Sequence, residues 1–358
     1  MKIAVLGHRR FPIKEPFAGG LERFTHNIVK GLQQKGCRVT LFAHPDSDRS
    51  LNLSLEPIID TSFCLNSEEE SHEAYLNIMD YLSEADFDLV HDNSLNYFPI
   101  ILEDRLSIPL VTTLHTPPFS RLLSAVRYRE RKQRGYYISI SKFNTSLWDL
   151  ETERLTMIHN GVDVDVFTYS QSVNNYAVWT GRIIPDKGTH LAIEAAQKAK
   201  IDLLIAGAID DYPYFETKIA PYLNKGVEYV GHLAQAELVP LLQSAAVTLC
   251  TPTWLEPFGL VVIESLACGT PVVAFDRGAI SEILDSQTGI LVTPDNTKEM
   301  AEAIKKAKHL SRHACRARVL ERFSLETMLN KYILAFECIV DKYQREKHAS
   351  WLLHTPPR

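Results

Sequence analysis

Short apolar runs separated by stretches of helical periodicity make up most of this 358-residue chain. In the first half the apolar runs read KIAVLG, RVTLFAH, FDLVHD, PLVTTLH, YYISIS and LTMIHNG. These runs lack the polar alternation of a strand that has one face in water. Residues 21–36 instead place apolar side chains at helical spacing. The pattern predicts β-α units around a parallel sheet that is buried on both faces.

The same pattern begins again after a polar, turn-rich passage at 168–176. The later apolar runs read AVWTG, IDLLIAG, VEYVG, AVTLCTP, PVVAFD and GILVT. The chain is too long for one ordinary core, so we predict an α/β protein with two doubly wound, Rossmann-like domains facing a cleft. The predicted bounds are 1–168 and 169–324, followed at 325–358 by a helix that returns to the first domain and a tail. Ligands of such sheets bind beyond the carboxyl ends of the strands.

Composition excludes several classes of protein. Hydrophobic residues make up 45% and charged residues 23%, and the net charge of -6 argues against a nucleic-acid binder. The N-terminal apolar run stops at Gly7, which is too short for a signal peptide, and no apolar run approaches the length of a membrane span. The six cysteines form no C-x-x-C pair. A cytoplasmic protein is therefore expected.

The segment 247–275 carries the clearest chemistry. VTLC reads as a strand, TWLEPFG as a loop, LVVIESLAC as a helix that Gly269 ends, and PVVAF as the next strand. The helix then begins at the cleft, where its free amides and its dipole favour an anion. Because Gly259 lets a ligand approach the backbone, we expect a phosphate there.

Two acids and two cations surround this helix start. Ionised carboxylates only accept hydrogen bonds, so Glu256 and Glu264 suit hydroxyl groups and not phosphates. One helix end supplies only about half a positive charge, and a diphosphate needs more. Arg182 follows a strand and Lys187 precedes a helix that starts with glycine, so both reach the same sheet edge. Together they indicate a nucleotide sugar bound without a metal.

Six fragments in order resemble a family 4 glycosyltransferase, a retaining enzyme of the GT-B fold that uses nucleotide sugars. They are AGGLERF (18–24), TTLHTPP (112–118), SISKF (139–143), IHNGVDVDVF (158–167), GRIIPDKG (181–188) and EPFGLVVIE (256–264). The resemblance covers most of the chain and implies the GT-B arrangement of the two predicted domains.

The resemblance also implies eleven site residues in two groups. The catalytic group is His115, Arg182, Lys187 and Glu256. The donor-binding group is Gly19, Gly20, Phe258, Gly259, Leu260, Val261 and Glu264. In these roles Glu256 would hold the sugar hydroxyls and Glu264 the ribose hydroxyls. His115 would lie beneath the reacting sugar, and the two cations would bind the diphosphate.

The implied reaction moves a hexose from a nucleoside diphosphate sugar to an unidentified hydroxyl acceptor, with no metal and no cofactor. Family frequency favours UDP-glucose as the donor, with GDP-mannose second. Front-face attack and a covalent intermediate both remain open. Either way, the enzyme must stabilise the departing diphosphate more than the bound donor.

Two other functions compete with this one. A protein of this fold could serve as a non-catalytic partner subunit that binds nucleotide sugars. An NAD(P)-dependent oxidoreductase is the other, but GHRRFPIKEPFAGG after the first strand lacks G-x-G-x-x-G. Each site residue also has a structural explanation. The two acids could be ordinary residues of a helix, and the two cations could form ion pairs with Asp186. The glycine pair could form a turn, and His115 could be a hydrogen-bonded core residue.

Three further features lie outside these motifs. Asp163-Val-Asp165 has the form of a D-x-D metal motif, but we assign it to the domain junction. His309 and His313 have the spacing of a metal pair on one helix, although a solvated face is the stronger interpretation. Six basic residues lie within 121–134 and read as a solvated helical face or as a peripheral contact with the inner membrane face or with an anionic acceptor.

Overall fold

The fold is built on two parallel sheets, as a computed structural model that describes residues 1–54, 68–132, 134–150 and 152–354 shows. The first sheet has the strand order β2-β1-β3-β4-β5-β6. Its strands are β1 (Lys2–Leu6), β2 (Arg38–Phe42), β3 (Leu89–Asp92), β4 (Leu110–Leu114), β5 (Tyr136–Ser139) and β6 (Leu155–Met157). Every neighbouring pair is parallel.

The second sheet repeats the design with the order β12-β11-β10-β7-β8-β9, again parallel throughout. Its strands are β7 (Tyr176–Thr180), β8 (Asp202–Ala206), β9 (Val227–Gly231), β10 (Val247–Cys250), β11 (Val272–Phe275) and β12 (Gly289–Val292). Each apolar run that the sequence predicts as a strand forms one, so the α/β prediction with two doubly wound sheets is confirmed.

Helices connect the strands and cover the sheets. In the described part of the chain they are α1 (Gly20–Gln34), α2 (Glu68–Glu84), α3 (Phe98–Ile101), α4 (Ser120–Arg131), α5 (Lys142–Trp148), α6 (Thr189–Ala199), α7 (Tyr212–Lys218), α8 (Gln235–Ser244), α9 (Leu260–Ala267), α10 (Ile280–Ile283), α11 (Thr297–Ala307), α12 (Arg312–Arg322) and α13 (Leu325–His354). A short 3₁₀ turn, Pro185–Lys187, precedes α6. The last helix runs ten residues beyond the predicted end near 344.

Burial on both faces explains why the strands lack polar alternation. In β1 Ile3 and Val5 belong to one core cluster, while Ala4 and Leu6 belong to another, and all four are fully buried. The first cluster also contains five residues of the last helix: Met328, Leu329, Tyr332, Phe336 and Ile339. Helix α13 therefore packs against the first sheet although it follows the second in sequence.

The chain crosses between the two sheets twice, and the two crossings lie side by side. Residues 158–175 join β6 to β7 without a helix or a strand. Within them the Val162 amide donates to the Phe323 carbonyl at 2.9 Å, and the Leu325 amide donates to the Val162 carbonyl at 2.8 Å. An added Cβ at Gly161 would lie 2.7 Å from the Ser324 carbonyl oxygen, which explains the glycine of the NGVD fragment.

Two sequence interpretations need correction. His309 follows the end of α11 and His313 lies in α12, so they do not share one helix. The basic residues at 121–134 are not all solvated, because the side chain of Arg129 is fully buried and pairs with Glu103 and Asp104. Gln133 of that segment and the tail at 355–358 lie outside the described residues. Within the described residues, no helix has the length and hydropathy that a membrane crossing needs.

Candidate active site

One cleft between the carboxyl ends of the two sheets contains all the predicted site residues. Its volume is about 420 Å³, within the range of small-molecule sites. The predicted residues that line it are Gly19, Gly20, His115, Arg182, Lys187, Glu256, Phe258, Gly259, Leu260, Val261 and Glu264. The loops after β1 and β4 supply the first-domain wall, and those after β7 and β10 supply the opposite wall. The structure thus brings all eleven together.

Helix α9 begins at this cleft, as the sequence predicts. Gly259 precedes its first residue with φ +104°, a left-handed conformation that favours glycine. The loop before it is fixed from two sides. Ser141 Oγ donates to the Pro257 carbonyl at 2.7 Å, and the Ala279 amide donates to the Glu256 carbonyl at 2.8 Å.

Gly278 supports the same loop, and the sequence analysis missed it. Its φ is +77°, and an added Cβ would lie 2.1 Å from the Glu256 carbonyl oxygen. Any larger residue would push the loop out of place. The available signal was a glycine between strand β11 and helix α10, at the same sheet edge as the motif.

Glu256 shares one carboxylate oxygen between two donors. Lys187 Nζ donates to its Oε2 at 2.7 Å and Trp254 Nε1 donates to the same atom at 2.9 Å. The Lys187 ammonium also lies 4.7 Å from the centre of a Trp254 ring, a cation-π contact. The other oxygen, Oε1, has no hydrogen bond to a described residue. Glu256 is only 9% exposed and lines the cleft, so a ligand bound there can contact this oxygen in place of water.

The second predicted cation is also paired. Arg182 Nη1 lies 3.2 Å from Asp210 Oδ2, at the rim of the cleft. Among the described residues, Asp186 forms an ion pair with neither Arg182 nor Lys187. An added Cβ at Gly19 would lie 3.7 Å from Arg182 Nε, so the guanidinium sits against the glycine turn of the first domain.

The N-terminal ends of two helices, one from each domain, meet beside these cations. Helix α1 starts at Gly20 and α9 at Leu260, and a Cβ added at Gly20 would lie 2.9 Å from Leu260 Cδ1. Free amides and the positive ends of two helix dipoles therefore face the same space as Arg182 and Lys187. This arrangement can hold a compact anion with two negative charges.

Glu264 lies deeper in the cleft and is 2% exposed. Its Oε1 forms an ion pair with Nη1 of Arg23, from helix α1 of the first domain. Arg23 also lines the cleft, and the sequence analysis did not single it out although it belongs to the AGGLERF fragment. The second oxygen, Oε2, has no hydrogen bond to a described residue.

His115 ends a chain of buried polar groups. Its Nε2 donates to Asn93 Oδ1 at 2.7 Å, Asn93 Nδ2 donates to His91 Nδ1 at 3.3 Å, and His91 Nε2 donates to Thr113 Oγ1 at 2.8 Å. Burial lowers the pKa of His115 to about 3, so the imidazole is neutral near pH 7. Since Nε2 carries the proton, Nδ1 is an acceptor. The histidine is thus both a hydrogen-bonded core residue and part of the cleft wall.

Two more titratable groups on the first-domain wall were missed. Glu22 of α1 is 5% exposed, and burial raises its pKa above the ordinary value. Nδ1 of His8 lies 3.8 Å from Glu22 Oε1, and burial, with Arg10 and Arg182 nearby, lowers the pKa of His8 to about 4. Glu22 stands two residues after the glycine pair, so the fragment itself placed it near the cleft.

The D-x-D sequence has a structural role. Asp163 Oδ1 accepts a hydrogen bond from the Asp165 amide at 3.0 Å, which closes a turn of the junction. Neither residue lines the cleft. Across the described residues, no three His, Cys, Asp or Glu side chains lie close enough together to hold a metal ion.

Two family models divide the chain where the structure does. The model described as Glycosyltransferase Family 4 matches residues 18–166, and the model described as Glycosyl transferases group 1 matches residues 170–321. The gap between them falls in the junction that separates the two sheets. Together they include all the predicted site residues.

Similar proteins match the chain across both halves. An uncharacterised glycosyltransferase of Methanocaldococcus jannaschii is 24% identical over 307 residues, covering 81% of this chain and 84% of that protein. A solved HepE structure from Anabaena, in complex with UDP-glucose, is 23% identical and superposes with a TM-score of 0.76 over 94% of this chain and 100% of that one. Sucrose-phosphate synthase from Thermosynechococcus elongatus has a TM-score of 0.77 at 19% identity, over 96% and 100%.

Proposed function

Because the chain belongs to the family 4 glycosyltransferases, we propose that it transfers a hexose from a nucleoside diphosphate sugar to a hydroxyl acceptor with retention and without a metal. UDP-glucose is the donor we favour and GDP-mannose is second. The superposed Anabaena protein holding UDP-glucose supports the first choice. The proposed reaction uses the cleft between the two sheets and no cofactor.

One observation carries this proposal. Two helix N-termini, Arg182 and Lys187 surround a single space, while Glu256 and Glu264 each present one carboxylate oxygen that has no hydrogen bond to a described residue. Amide dipoles and cations select the diphosphate, and carboxylate oxygens accept hydrogen bonds from hydroxyl groups. A nucleotide sugar has its diphosphate between two groups that carry hydroxyls, so its chemistry matches this order of partners.

The cleft residues then have separate tasks in the reaction. The cations and helix ends stabilise the diphosphate as it leaves, where negative charge develops. Glu256 holds the sugar ring through its free oxygen. The neutral His115 offers Nδ1 to a hydroxyl of the reacting sugar. In front-face attack, the acceptor oxygen bonds to the anomeric carbon and its proton passes to the departing phosphate oxygen. No protein base is needed for that step.

We place the acceptor on the first-domain wall, where Glu22, His8 and Arg10 face the cleft. We also propose a cytoplasmic location, because the five described cysteines are free thiols. Peripheral membrane contact through 121–134 is part of the proposal. Two exposed aromatic side chains support this contact. Tyr128 lies among the basic residues of α4 and is 40% exposed, and Phe119 lies directly before that helix and is 43% exposed.

A donor panel tests the proposal. The purified protein should be stabilised against heat by UDP more than by GDP, and not by NAD. With UDP-glucose and no added acceptor it should release UDP slowly, and EDTA should leave the rate unchanged. If no nucleoside diphosphate stabilised the protein and no UDP- or GDP-sugar were hydrolysed, the proposal would be wrong. A preference for GDP would instead change the donor to GDP-mannose.

A further inference from the structure

We infer that Arg23, a residue of the first domain, positions Glu264 of the second domain for the ribose of the donor nucleotide. The inference rests on the proposed function and concerns the same cleft. It makes ribose recognition a joint property of both domains, whereas the family motif places it in the second domain alone. Arg23 would act through Glu264 and is therefore a positioning residue.

The pair joins the two domains inside the cleft. Arg23 lies one turn into α1 and Glu264 one turn into α9, and Nη1 of the first bonds Oε1 of the second. Their side chains are 17% and 2% exposed. A carboxylate so deeply buried requires a partner, because burying a lone charge is costly. Among the described residues, Arg23 is the cation that forms an ion pair with Glu264.

Two aromatic rings fix the guanidinium. Its central carbon lies 5.7 Å from the ring centre of Phe17 and 5.7 Å from that of Phe167. Phe17 belongs to the loop after β1 and Phe167 to the junction, and both are buried. A flat, delocalised guanidinium can stack on two ring faces at once and still donate from its edge, whereas a lysine ammonium has no flat face to stack. The site thus calls for arginine specifically.

The consequence concerns the free oxygen of Glu264. With Oε1 held by Arg23, rotation of the carboxylate is restricted and Oε2 keeps a defined direction. Glu264 and Arg23 both line the cleft, so Oε2 is the acceptor that a ligand can use. Within the described part of the chain, the buried Nε of Arg23 also has no hydrogen bond. A residue selected only for stability would seldom leave a buried donor unpaired.

A comparison of three ligands tests the inference. Titration calorimetry with UDP, 2′,3′-dideoxyuridine diphosphate and pyrophosphate separates the ribose hydroxyls from the phosphates. The wild type should prefer UDP over the dideoxy compound by about tenfold or more, the scale of hydrogen bonds to a charged group. Arg23→Met and Glu264→Gln should each lower that preference at least threefold, and pyrophosphate affinity should stay unchanged.

Two further variants complete the design. Arg154→Met is the matched control, since Arg154 is 21% exposed and pairs with Glu346 away from the cleft. It should keep the full preference. Arg23→Lys retains the charge and should still lose preference, because the ammonium cannot stack between two rings. If Arg23→Met does not fold, the lysine variant decides. Pyrophosphate binding shows in each case that the cleft is intact.

The outcomes separate the two proposals. An undiminished ribose preference in the Arg23 variants, with UDP bound normally by the wild type, would overturn this inference alone. Failure of the wild type to bind UDP, GDP or any nucleotide sugar would overturn the proposed function and this inference with it. A drop in pyrophosphate affinity equal to the drop in UDP affinity would show a general structural role for Arg23, and would also overturn the inference.

Discussion

Replacing Lys187 by methionine tests the charge arrangement of the cleft most directly. Methionine keeps an unbranched stem against Trp254 and removes the ammonium. In the structure that ammonium donates to Glu256 Oε2 at 2.7 Å. The Lys187 side chain is 23% exposed and the Glu256 side chain 12% exposed. The substitution leaves Glu256 with the Trp254 N–H as its remaining donor among the described residues. It also removes one of the two cations proposed for the diphosphate.

The size of the effect follows from the burial of the pair. Two unit charges about 4 Å apart attract by about 4 kcal/mol at the effective dielectric constant of a protein surface, before desolvation is subtracted. Hydrogen bonds to charged groups contribute about 1.5–3 kcal/mol net. We therefore expect the Lys187→Met and Glu256→Gln substitutions to couple by about 2 kcal/mol. The double variant should be less destabilised than the sum of the single ones.

Binding should separate the two residues, although stability couples them. Lys187→Met should weaken UDP by about 2 kcal/mol, roughly 30-fold, as one charge-assisted contact is lost. Glu256→Gln should leave UDP affinity unchanged or slightly higher, because it frees the ammonium for phosphate. The same variant should nearly abolish UDP-glucose hydrolysis if Glu256 holds the sugar as proposed.

Calorimetry with UDP and urea denaturation of the four proteins in the cycle provide the measurements. Coupling below about 0.5 kcal/mol would mean that the two side chains do not form the pair seen in the structure. If Lys187→Met bound UDP as tightly as the wild type, Lys187 would not be part of the diphosphate site. Either result would refute the reasoning from charge.

Three further predictions concern the same cleft. Asn93→Ala removes the acceptor for His115 Nε2, so UDP-glucose hydrolysis should fall about tenfold with UDP affinity unchanged. Gly259→Ala places a side chain at φ +104°, which should cost about 1–3 kcal/mol in urea denaturation and weaken UDP binding. Burial lowers the pKa values of His91 and His115 to about 3, so stability is full above pH 6.5 and falls as the pH drops toward 3. Asp92, whose pKa burial raises to about 6, offsets part of this fall, and the net loss from these groups between pH 7 and pH 5 should be about 2 kcal/mol.

Each of these predictions has a distinguishing outcome. Gly36 also has a positive φ, +85°, but lies in open space at the end of α1, so Gly36→Ala should destabilise the protein and leave UDP binding unchanged. Equal effects of both alanines on UDP would argue against a special role for Gly259. If UDP-glucose hydrolysis were unaltered in Asn93→Ala, the proposed role of His115 in binding the sugar would be wrong. An unfolding midpoint that stays constant from pH 7 to pH 5 would contradict the histidine argument.

Much of the fold was readable from the sequence because it depends on local patterns. A strand buried on both faces must be apolar along its buried length, as residues 3–6 of β1 and all of β11 are, and the parallel sheets follow from the helices between such strands. Helix ends were less accurate. Helix α1 stops at Gln34, two residues before the predicted end, because Gly36 takes a left-handed conformation there.

The chemistry of the site was readable where one segment carries both the backbone and the side chain. Glu256, Gly259 and Glu264 lie within nine residues, so their relation to the start of α9 follows from spacing alone. The partners of these groups come from elsewhere. Arg23 is 241 positions from Glu264, and Asn93, directly after the neighbouring strand β3, is 22 positions from His115. Contacts across a cleft produce no periodic pattern in the sequence, so the sequence does not reveal them.

The pairing of the cations changes how donor binding must be understood. From the sequence, Arg182 and Lys187 count as free positive charges that attract a diphosphate. In the structure each already faces a carboxylate, Asp210 or Glu256, so the proposed diphosphate binding is an exchange of partners. A complete nucleotide sugar can replace both sides of the Lys187–Glu256 pair, because its phosphate takes the ammonium and its hydroxyls take the carboxylate. A nucleoside diphosphate takes only the ammonium and leaves Glu256 without its charge partner.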